Sequence, residues 1–189
     1  RERDLTGKGC KLDIAMADNL FAFMYWALGN GLVAGEWPTP GGDLVTGGSP
    51  RYNIYRTRDG RFVAAAPLET KFWDNFCALL GLEPGLRDDS RDAAATRRAV
   101  AERVAAKTAD EWRALFAGKD LCCCIVGSIE EALRDPHFIL RGVFAAKLAA
   151  GDQQITALPV PVVPQFRAQP GVEGYPALGE ANALLDRKQ

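Results

Sequence analysis

The sequence has little of what nucleic-acid or membrane binding requires. Its formal net charge is −1, so there is no basic surplus to attract phosphate backbones or anionic lipids. The longest apolar run, Leu20–Leu28, is much shorter than the roughly 20 residues of a membrane-spanning helix. We therefore expect no nucleic acid and no membrane among the partners, and a cytoplasmic protein of ordinary globular composition.

The sequence has one histidine, His137, and its five cysteines lack the spacing of a metal site. Zinc sites take cysteines in pairs such as C-x₂-C, repeated or joined by histidines. Cys122, Cys123 and Cys124 are adjacent instead, and adjacent strand residues point to opposite faces, which excludes an ordinary disulfide framework. We expect reduced thiols that fill a core, no metal and no other cofactor.

An initiator methionine is absent, because the chain begins at Arg1. The first segment, residues 1–13, is too polar for a signal peptide. The length of 189 residues suffices for one ordinary domain or for a small domain with additional arms. We expect the chain to be part of a longer protein.

An apolar helix is predicted near the start of the chain. Leu12–Leu28 is rich in Ala, Met, Leu and aromatic residues, and Gly29 and Gly31 are typical of a helix end. From Leu20 onward the helix is apolar almost all round, so it must be buried on several sides. The Gly-, Pro- and Trp-rich stretch Val33–Gly48 is predicted to be a linker.

A β-hairpin followed by a helix is the clearest local pattern. The β-prone runs Tyr52–Thr57 and Arg61–Ala66 flank Asp59-Gly60, which is a strong turn signal. Two strands alone are marginally stable, so another element must cover them. The helix Thr70–Leu80 has its apolar residues at helical spacing and is the expected cover.

The rest of the chain alternates helices and short strands. Helices are predicted at Asp92–Lys107, after the Thr108 capping box and after the Ser128 capping box, and strands at Leu121–Val126, Val143–Leu148 and Gln154–Val163. Asp135-Pro136 is predicted to break the helix that the Ser128 capping box opens, and the tail from Tyr175 is predicted to be a loop that leads into a final helix.

Together these elements predict a mixed α+β fold. Residues 49–140 form a compact small domain, which is a short antiparallel sheet with flanking helices. Residues 1–48 are a helical arm, and residues 141–189 are an extended arm. Neither arm has enough core of its own, so we expect both to pack on a missing large domain, on a partner subunit or on each other.

Several motifs occur in an order that resembles the family III CoA-transferases. They are Thr6-Gly7-Lys8-Gly9 with Asp13, Gly47-Gly48-Ser49-Pro50-Arg51-Tyr52, Tyr55 with Thr57 and Asp59-Gly60, Glu69 with Phe72-Trp73, Asp120 with Ser128-Ile129-Glu130-Glu131-Ala132, Asp135-Pro136-His137 with Arg141-Gly142, and Leu178-Gly179-Glu180. Each motif is unspecific alone, whereas their order over nearly all of the chain is specific. The α-methylacyl-CoA racemase branch is the most similar, and the resemblance is to the C-terminal half of such proteins.

This resemblance implies a fold and an assembly. Family members have a large domain that starts as a nucleotide-type α/β fold, a small domain inserted late in the chain, and a tail that returns to the large domain. Residues 1–48 then hold the last helical segment of the large domain with a linker, residues 49–140 the small domain, and residues 141–189 the tail. Two subunits interlock as a homodimer, and the substrate is an acyl-CoA.

Two reactions stay open under this resemblance. The transferases use an Asp nucleophile that attacks the acyl-CoA carbonyl and forms a mixed anhydride. The racemases use a His and an Asp on opposite faces of the α-carbon, and this 1,1-proton transfer on 2-methylacyl-CoA is the favoured reading. These residues are all expected before position 1, so the chain alone is expected to be inactive. A non-catalytic dimerisation module is the third alternative.

Glu69 is the sharpest candidate, because it follows the second hairpin strand and precedes a helix. By the resemblance it belongs to the polar network of the racemase branch, where it orients the catalytic His and favours its charged form. Transferases often carry an amide or another residue here, so Glu69 favours racemase. The structural alternative is a helix N-terminal residue stabilised by the helix dipole.

Substrate contacts are assigned by the resemblance to Gly47, Gly48, Ser49 and Tyr52. Glycines allow a backbone to approach a thioester closely and allow a loop to move. The alternative is a plain turn before a strand.

The remaining polar candidates have structural interpretations. Four arginines crowd the hairpin: Arg51, Arg56, Arg58 and Arg61. Guanidinium groups bind phosphates such as those of CoA, but strand alternation commonly places Arg on a solvated face. His137 follows Asp-Pro and is predicted to lie in a turn. Ile125 stands where many family members have Pro.

Overall fold

The computed structural model describes residues 2–167 and 170–184. The chain divides into two compact units, Arg1–Val126 and Gly127–Gln189. The domain boundaries expected at residues 48 and 140 stay a prediction.

Both units mix helices and short strands. The first unit contains α1 (Glu2–Thr6), α2 (Met16–Phe23), α3 (Tyr25–Ala34), a π-type turn (Leu44–Gly48), β1 (Asn53–Arg56), β2 (Phe62–Ala65), α4 (Thr70–Leu80), α5 (Pro84–Arg87), α6 (Ala93–Ala105), α7 (Ala109–Phe116) and β3 (Cys123–Ile125). The second unit contains α8 (Ile129–Arg134), α9 (Pro136–Leu140), β4 (Lys147–Ala150), β5 (Gln153–Thr156) and β6 (Val172–Gly174), with 3₁₀ turns at Pro164–Phe166 and Asn182–Leu184.

The sheet of the first unit has the order β1-β2-β3 and is antiparallel throughout. Tyr55 pairs with Val63 across the predicted hairpin, and Val63 pairs with Ile125 of the third strand. The third strand is shorter than the predicted run Leu121–Val126. Cys122 interrupts it with a φ of 49°, a left-handed conformation that breaks extended backbone. As an edge strand, β3 is half-buried to exposed rather than buried.

The core of this unit lies between the sheet and helices α4, α6 and α7. Val63, Trp73, Phe76, Val100 and Trp112 are each 0% or 1% exposed. Helix α4 covers the hairpin as the apolar spacing predicts, and it ends at Gly81 in the left-handed conformation. The Phe76 ring is fully enclosed, so Phe76→Ala is expected to lower the free energy of unfolding by about 3–5 kcal/mol.

The hairpin turn is joined to helix α7. Gly60 takes the left-handed conformation that a three-residue hairpin loop needs, with a φ of 80°. The Asp59 carboxylate accepts hydrogen bonds from the Thr57 hydroxyl at 2.6 Å and from the Ala109 amide at 3.1 Å. These two donors hold the pKa of Asp59 below its ordinary value. Ala109 is the first residue of α7, so the carboxylate also lies at the favourable end of the helix dipole.

The N-terminal segment contains two helices where one was predicted. Helix α2 begins at Met16 rather than Leu12, and the helical path breaks at Met24 and resumes to Ala34. The prediction that Gly29 and Gly31 end the helix is wrong, because Gly35 is the left-handed residue that does so. Gly31 packs against Trp37 instead, and a Cβ there would lie 2.4 Å from the ring.

This segment has almost no core of its own. Within residues 2–48, only Ala27 and Gly31 are buried. Many large apolar side chains are exposed: Leu5, Leu12, Ile14, Met16, Leu20, Phe21, Phe23, Met24, Tyr25, Leu32, Val33, Trp37, Leu44 and Val45. The expectation that the arm needs another surface to cover it agrees with this exposure. No helix within the described ranges combines the length and the apolar character that crossing a membrane requires.

The second unit contains a small sheet of order β5-β4-β6, in which β4–β5 is antiparallel and β4–β6 is parallel. The Ser128 capping box opens α8 as predicted. Asp135-Pro136 ends that helix and also starts α9, because the Asp135 carboxylate accepts from the His137 amide at 2.8 Å. The turn predicted at His137 is therefore wrong, since His137 lies in the first turn of a helix. The fold class is mixed α/β, with small sheets and flanking helices, as predicted.

Candidate functional site

Glu69 lies at the junction between the hairpin and helix α4. It is the N-cap residue, with extended backbone, and its carbonyl accepts from the Phe72 and Trp73 amides. Its side chain is exposed and makes no capping hydrogen bond to the helix. The carboxylate therefore projects from a fixed backbone without serving as a cap. Its proposed role toward a catalytic histidine stays a prediction.

Arg51 fixes the backbone immediately before Glu69. Its guanidinium contacts the Asp89 carboxylate at 2.6 Å and 3.0 Å, and it donates to the Leu68 carbonyl at 3.3 Å. It also stacks over the Trp73 ring, 5.0 Å from the centroid. The prediction of a solvated face is wrong for Arg51, because these contacts hold it half-buried.

The other hairpin arginines have mixed environments. Arg56 is exposed, as strand alternation predicts. Arg58 is exposed as well, yet it forms an ion pair with Glu111 at 2.9 Å and donates to the Ala106 carbonyl at 3.2 Å. Arg61 donates to the Val126 carbonyl at 3.4 Å. The contacts of Arg58 run to backbone and carboxylate groups of the same unit, which gives this arginine a structural role.

A cleft of about 370 Å³ opens on the first hairpin strand and includes two of the predicted substrate-binding residues. Its lining consists of Val45, Thr46, Gly47, Tyr52, Asn53, Ile54, Ala64, Ala65 and Ala66. The structure thus brings Gly47 and Tyr52 together. Gly48 and Ser49 adjoin this lining in the chain without being part of it. Among the described residues that line the cleft, none is charged.

The glycines at one side of the cleft are required by the path of the backbone. Gly47 has a φ of 110°, which L side chains rarely adopt. A Cβ on Gly48 would lie 2.0 Å from the Gly42 carbonyl oxygen, so the loop is closed against itself. The loop is held further by the Gly48 amide, which donates to the Asp43 carbonyl at 3.0 Å. These contacts account for the glycines by geometry, as the structural alternative expects.

Two side chains hold the carbonyl of Gly47 from outside the loop. The Asn53 amide donates to it at 2.8 Å, and the Arg97 guanidinium donates to it at 3.0 Å. Arg97 lies on α6, 50 residues away in the sequence. No local motif in the sequence marks Arg97, because the contact exists only after α6 packs on β1.

The residues between the loop and the first strand are equally fixed. The Ser49 hydroxyl accepts from the Arg51 amide at 3.0 Å. The Tyr55 hydroxyl donates to the Pro50 carbonyl at 2.7 Å. Burial raises the pKa of Tyr55 well above its ordinary value of 10.0, so it stays neutral and acts as a donor. Tyr52 is 37% exposed and faces the cleft.

The sequence profile of CoA-transferase family III matches residues 1–182. The chain belongs to this family.

Two curated relatives of this family III protein are similar along nearly its whole length. α-Methylacyl-CoA racemase of Mus musculus is 31% identical over 183 residues, and α-methylacyl-CoA racemase of Homo sapiens is 30% identical over 183 residues. Each match covers 95% of this chain and 47% of the relative. The chain therefore spans about half the length of the curated relatives it matches.

A solved structure shares the fold. The crystal structure of Rv3272 from Mycobacterium tuberculosis superimposes with a TM-score of 0.66 at 22% sequence identity. The match covers 97% of this chain and 49% of Rv3272. At this level of identity the likeness supports the fold.

The thiols of this family III protein differ in burial. All five are free: Cys10, Cys77, Cys122, Cys123 and Cys124. Burial raises the pKa of Cys77 and of Cys123 to about 12. The expectation of thiols that fill a core is therefore correct for Cys77 and wrong for three exposed ones. Within residues 2–167 and 170–184, no group of three or more His, Cys, Asp or Glu side chains has the arrangement of a metal site.

Proposed function

We propose that this chain is the Glu69-bearing part of an α-methylacyl-CoA racemase. The parent enzyme removes the α-proton of a 2-methylacyl-CoA thioester and returns a proton on the opposite face. The likeness to two proteins named α-methylacyl-CoA racemase, over 183 residues each, supports the proposal. The single structural observation in its favour is the exposed Glu69 carboxylate, which makes no capping hydrogen bond and follows backbone held by Arg51.

The proposed chemistry requires an acidified carbon and two proton-transfer groups. The thioester acidifies the α-proton, one base removes it, and a conjugate acid on the other face returns one. By the family resemblance, a His and an Asp outside these 189 residues do this. A carboxylate close to an imidazole favours the imidazolium form and fixes the ring. That is the role we assign to Glu69. The substrate is the CoA thioester itself, and the reaction needs no metal or redox cofactor.

The proposal includes an interlocked homodimer with acyl-CoA as its ligand. The apolar side chains exposed on α2 and α3 support this part of the proposal, because large apolar surfaces are usually covered by a partner in native proteins. Sedimentation equilibrium of the whole protein that contains this chain tests the dimer. A mass of one chain at micromolar concentration would argue against it.

The reaction is tested by proton exchange in heavy water. The whole protein is incubated with one enantiomer of 2-methyldecanoyl-CoA in the absence of any acceptor acid, and α-deuterium and stereochemistry are followed by mass spectrometry and chiral separation. We expect deuterium incorporation together with loss of enantiomeric excess. A substrate that keeps its proton and configuration would rule out the racemase.

CoA transfer is the second candidate, because it is the reaction in the name of the family. A transferase would move CoA from the thioester to an added carboxylic acid while the α-proton stays in place. Repeating the incubation with a series of acceptor acids separates the two activities. The 189-residue chain alone is expected to be inactive in both assays, as a non-catalytic module would be.

A further inference from the structure

We propose that Arg97 is a positioning residue for acyl binding, which it controls by holding the Gly47 carbonyl and thereby setting the width of the apolar cleft. This inference rests on the proposed function for its ligand, an acyl thioester. Beyond the proposed function, it says that the acyl group of the ligand enters the cleft and that Arg97 sets the shape of the cleft.

The cleft has the chemical character of an acyl site. The chain segment Ala64–Ala66 carries only methyl side chains, and this leaves room beside the strand. Val45 and Ile54 are 45% and 63% exposed, so two branched apolar groups face solvent here. With no charged side chain among its described lining residues, the cleft suits an uncharged hydrocarbon group rather than the phosphates of CoA.

One wall of the cleft is the Gly47 loop, whose shape is held by the Thr46 and Gly48 amides, which donate to the Asp43 carbonyl at 3.1 Å and 3.0 Å. Thr46 and Gly47 line the cleft, and Gly47 has a φ of 110°. The bonds to Asp43 run within the loop, and Gly47 has no side chain that could attach the loop to the rest of the unit. Two side chains from outside the loop bind it at one atom, the Gly47 carbonyl oxygen, which lies 2.8 Å from the Asn53 amide and 3.0 Å from the Arg97 guanidinium.

Arg97 connects this wall to the rigid core. It is half-buried on α6, the helix that also carries the fully enclosed Val100 and Val104. Its positive charge also acts on the buried Tyr55 hydroxyl of β1, so the guanidinium lies near the strand as well as the loop. A charge-assisted hydrogen bond is stronger than a neutral one. Of the two side chains that hold the Gly47 carbonyl from outside the loop, Arg97 therefore makes the stronger bond and Asn53 the weaker one.

The experiment compares Arg97→Met with Arg98→Met, the adjacent and exposed arginine on the same helix. Calorimetric titration of the whole protein uses three probes: decanoyl-CoA, acetyl-CoA and CoA. We expect Arg97→Met to raise the Kd of decanoyl-CoA by about tenfold, the typical loss for one charge-assisted hydrogen bond, and to leave the Kd of CoA unchanged. Arg98→Met should leave all three values unchanged, and Arg97→Lys should restore part of the affinity.

Kinetic measurements distinguish positioning from a general structural role. In the α-proton exchange assay, Arg97→Met should raise KM for long acyl groups while kcat changes little. If Arg97→Met does not fold, Arg97→Lys and Asn53→Leu carry the same test, since each weakens one donor. If the Arg97 variant loses equal affinity for decanoyl-CoA and CoA, or loses affinity for neither, the inference is overturned.

The two proposals fail in different ways. If Arg97→Met weakens the binding of decanoyl-CoA but the wild-type protein exchanges no α-proton, the racemase proposal is rejected and the acyl site stands. A protein that exchanges α-protons with a KM independent of Arg97 rejects the acyl site and keeps the racemase. A wild-type protein that binds decanoyl-CoA no better than CoA rejects the acyl site in any case.

Discussion

The guanidinium of Arg51 meets the carboxylate of Asp89 through two nitrogens, with Nη2 2.6 Å and Nε 3.0 Å from carboxylate oxygens. Their side chains are 23% and 16% exposed. The pair joins the start of the hairpin to the segment between α5 and α6. Since the third nitrogen of Arg51 donates to the Leu68 carbonyl, the same pair also fixes the backbone that leads into Glu69.

Removing this guanidinium should destabilise the first unit. Arg51→Met leaves the Asp89 carboxylate half-buried without its partner and removes the bond to Leu68. We expect a loss of about 2 kcal/mol in the free energy of unfolding, measured by urea denaturation. Arg98→Met is the control and should change stability by less than about 0.5 kcal/mol. Equal stability of the two variants would contradict the structural role of the pair.

Two glycine-to-alanine substitutions should change the free energy of unfolding in opposite directions. Gly48→Ala places a Cβ 2.0 Å from the Gly42 carbonyl oxygen, a backbone atom that cannot move aside cheaply. We expect a loss of about 1–3 kcal/mol. Gly29→Ala lies inside α3 with no atom within 4 Å of the new Cβ, and it should stabilise by about 0.5–1 kcal/mol because alanine favours helix. Thermal unfolding of both variants tests the contrast, and a shift of the same sign would refute it.

These glycines also mark what a sequence can predict and what it cannot. The Asp59-Gly60 turn and the Thr108 and Ser128 capping boxes are local signals, and the structure contains each of them. Gly29 and Gly31 resemble helix ends in the sequence, yet the helix continues through both, and Trp37 packs on Gly31. The same residue type serves termination or close packing, and only the tertiary contact decides which.

The site was predictable to the extent that its residues are adjacent in sequence. Gly47 and Tyr52 are close along the chain and share one cleft. Arg97 contacts a residue 50 positions away in the sequence, and Asp89 contacts one 38 positions away. No spacing rule in a single sequence reveals such contacts. Hydrogen bonds of this kind depend on how α6 packs against β1, and that packing is set by the whole core.

Acid should weaken the link between the hairpin turn and α7. The Thr57 hydroxyl and the Ala109 amide lower the pKa of Asp59 in the folded state, so the folded state binds the proton less readily than the unfolded state. The stabilisation is present above the unfolded value of 3.8 and is lost as the pH falls through the folded value. Urea midpoints measured from about pH 6 to pH 3 should fall less steeply for Asp59→Asn than for the wild type.

Some acid sensitivity must persist in Asp59→Asn. Asp88, through the Ser90 hydroxyl, and Glu111, through the Thr108 amide, also have lowered pKa values. Their contributions have the same sign and remain in the variant. An unchanged slope in Asp59→Asn would show that its carboxylate does not contribute.

Thiol labelling should divide the five cysteines into two classes. Burial raises the pKa of Cys77 and Cys123 to about 12, so both are protonated and sheltered at neutral pH. Iodoacetamide at about pH 8 should alkylate the exposed Cys10, Cys122 and Cys124 first, as peptide mass spectrometry would show. In urea all five should react. Rapid labelling of Cys77 in the folded protein would contradict the enclosed core.

The proposed role of Glu69 has a matched control elsewhere in the same unit. Glu83 is also an exposed N-cap glutamate without a side-chain capping bond, at the start of α5. Glu69→Gln and Glu83→Gln should each change the free energy of unfolding by less than about 0.5 kcal/mol. A stability difference between them would point to a structural function for Glu69.

Only Glu69→Gln should slow α-proton exchange, by about a hundredfold in kcat, since a neutral amide no longer stabilises an imidazolium. Removing the carboxylate also lowers the pKa of the histidine that the proposal invokes, because a nearby negative charge favours the protonated ring. The rising limb of kcat/KM against pH should therefore move to lower pH in Glu69→Gln and stay in place in Glu83→Gln. If both variants keep the wild-type rate and profile, Glu69 belongs to the surface of α4 and the site must be sought elsewhere.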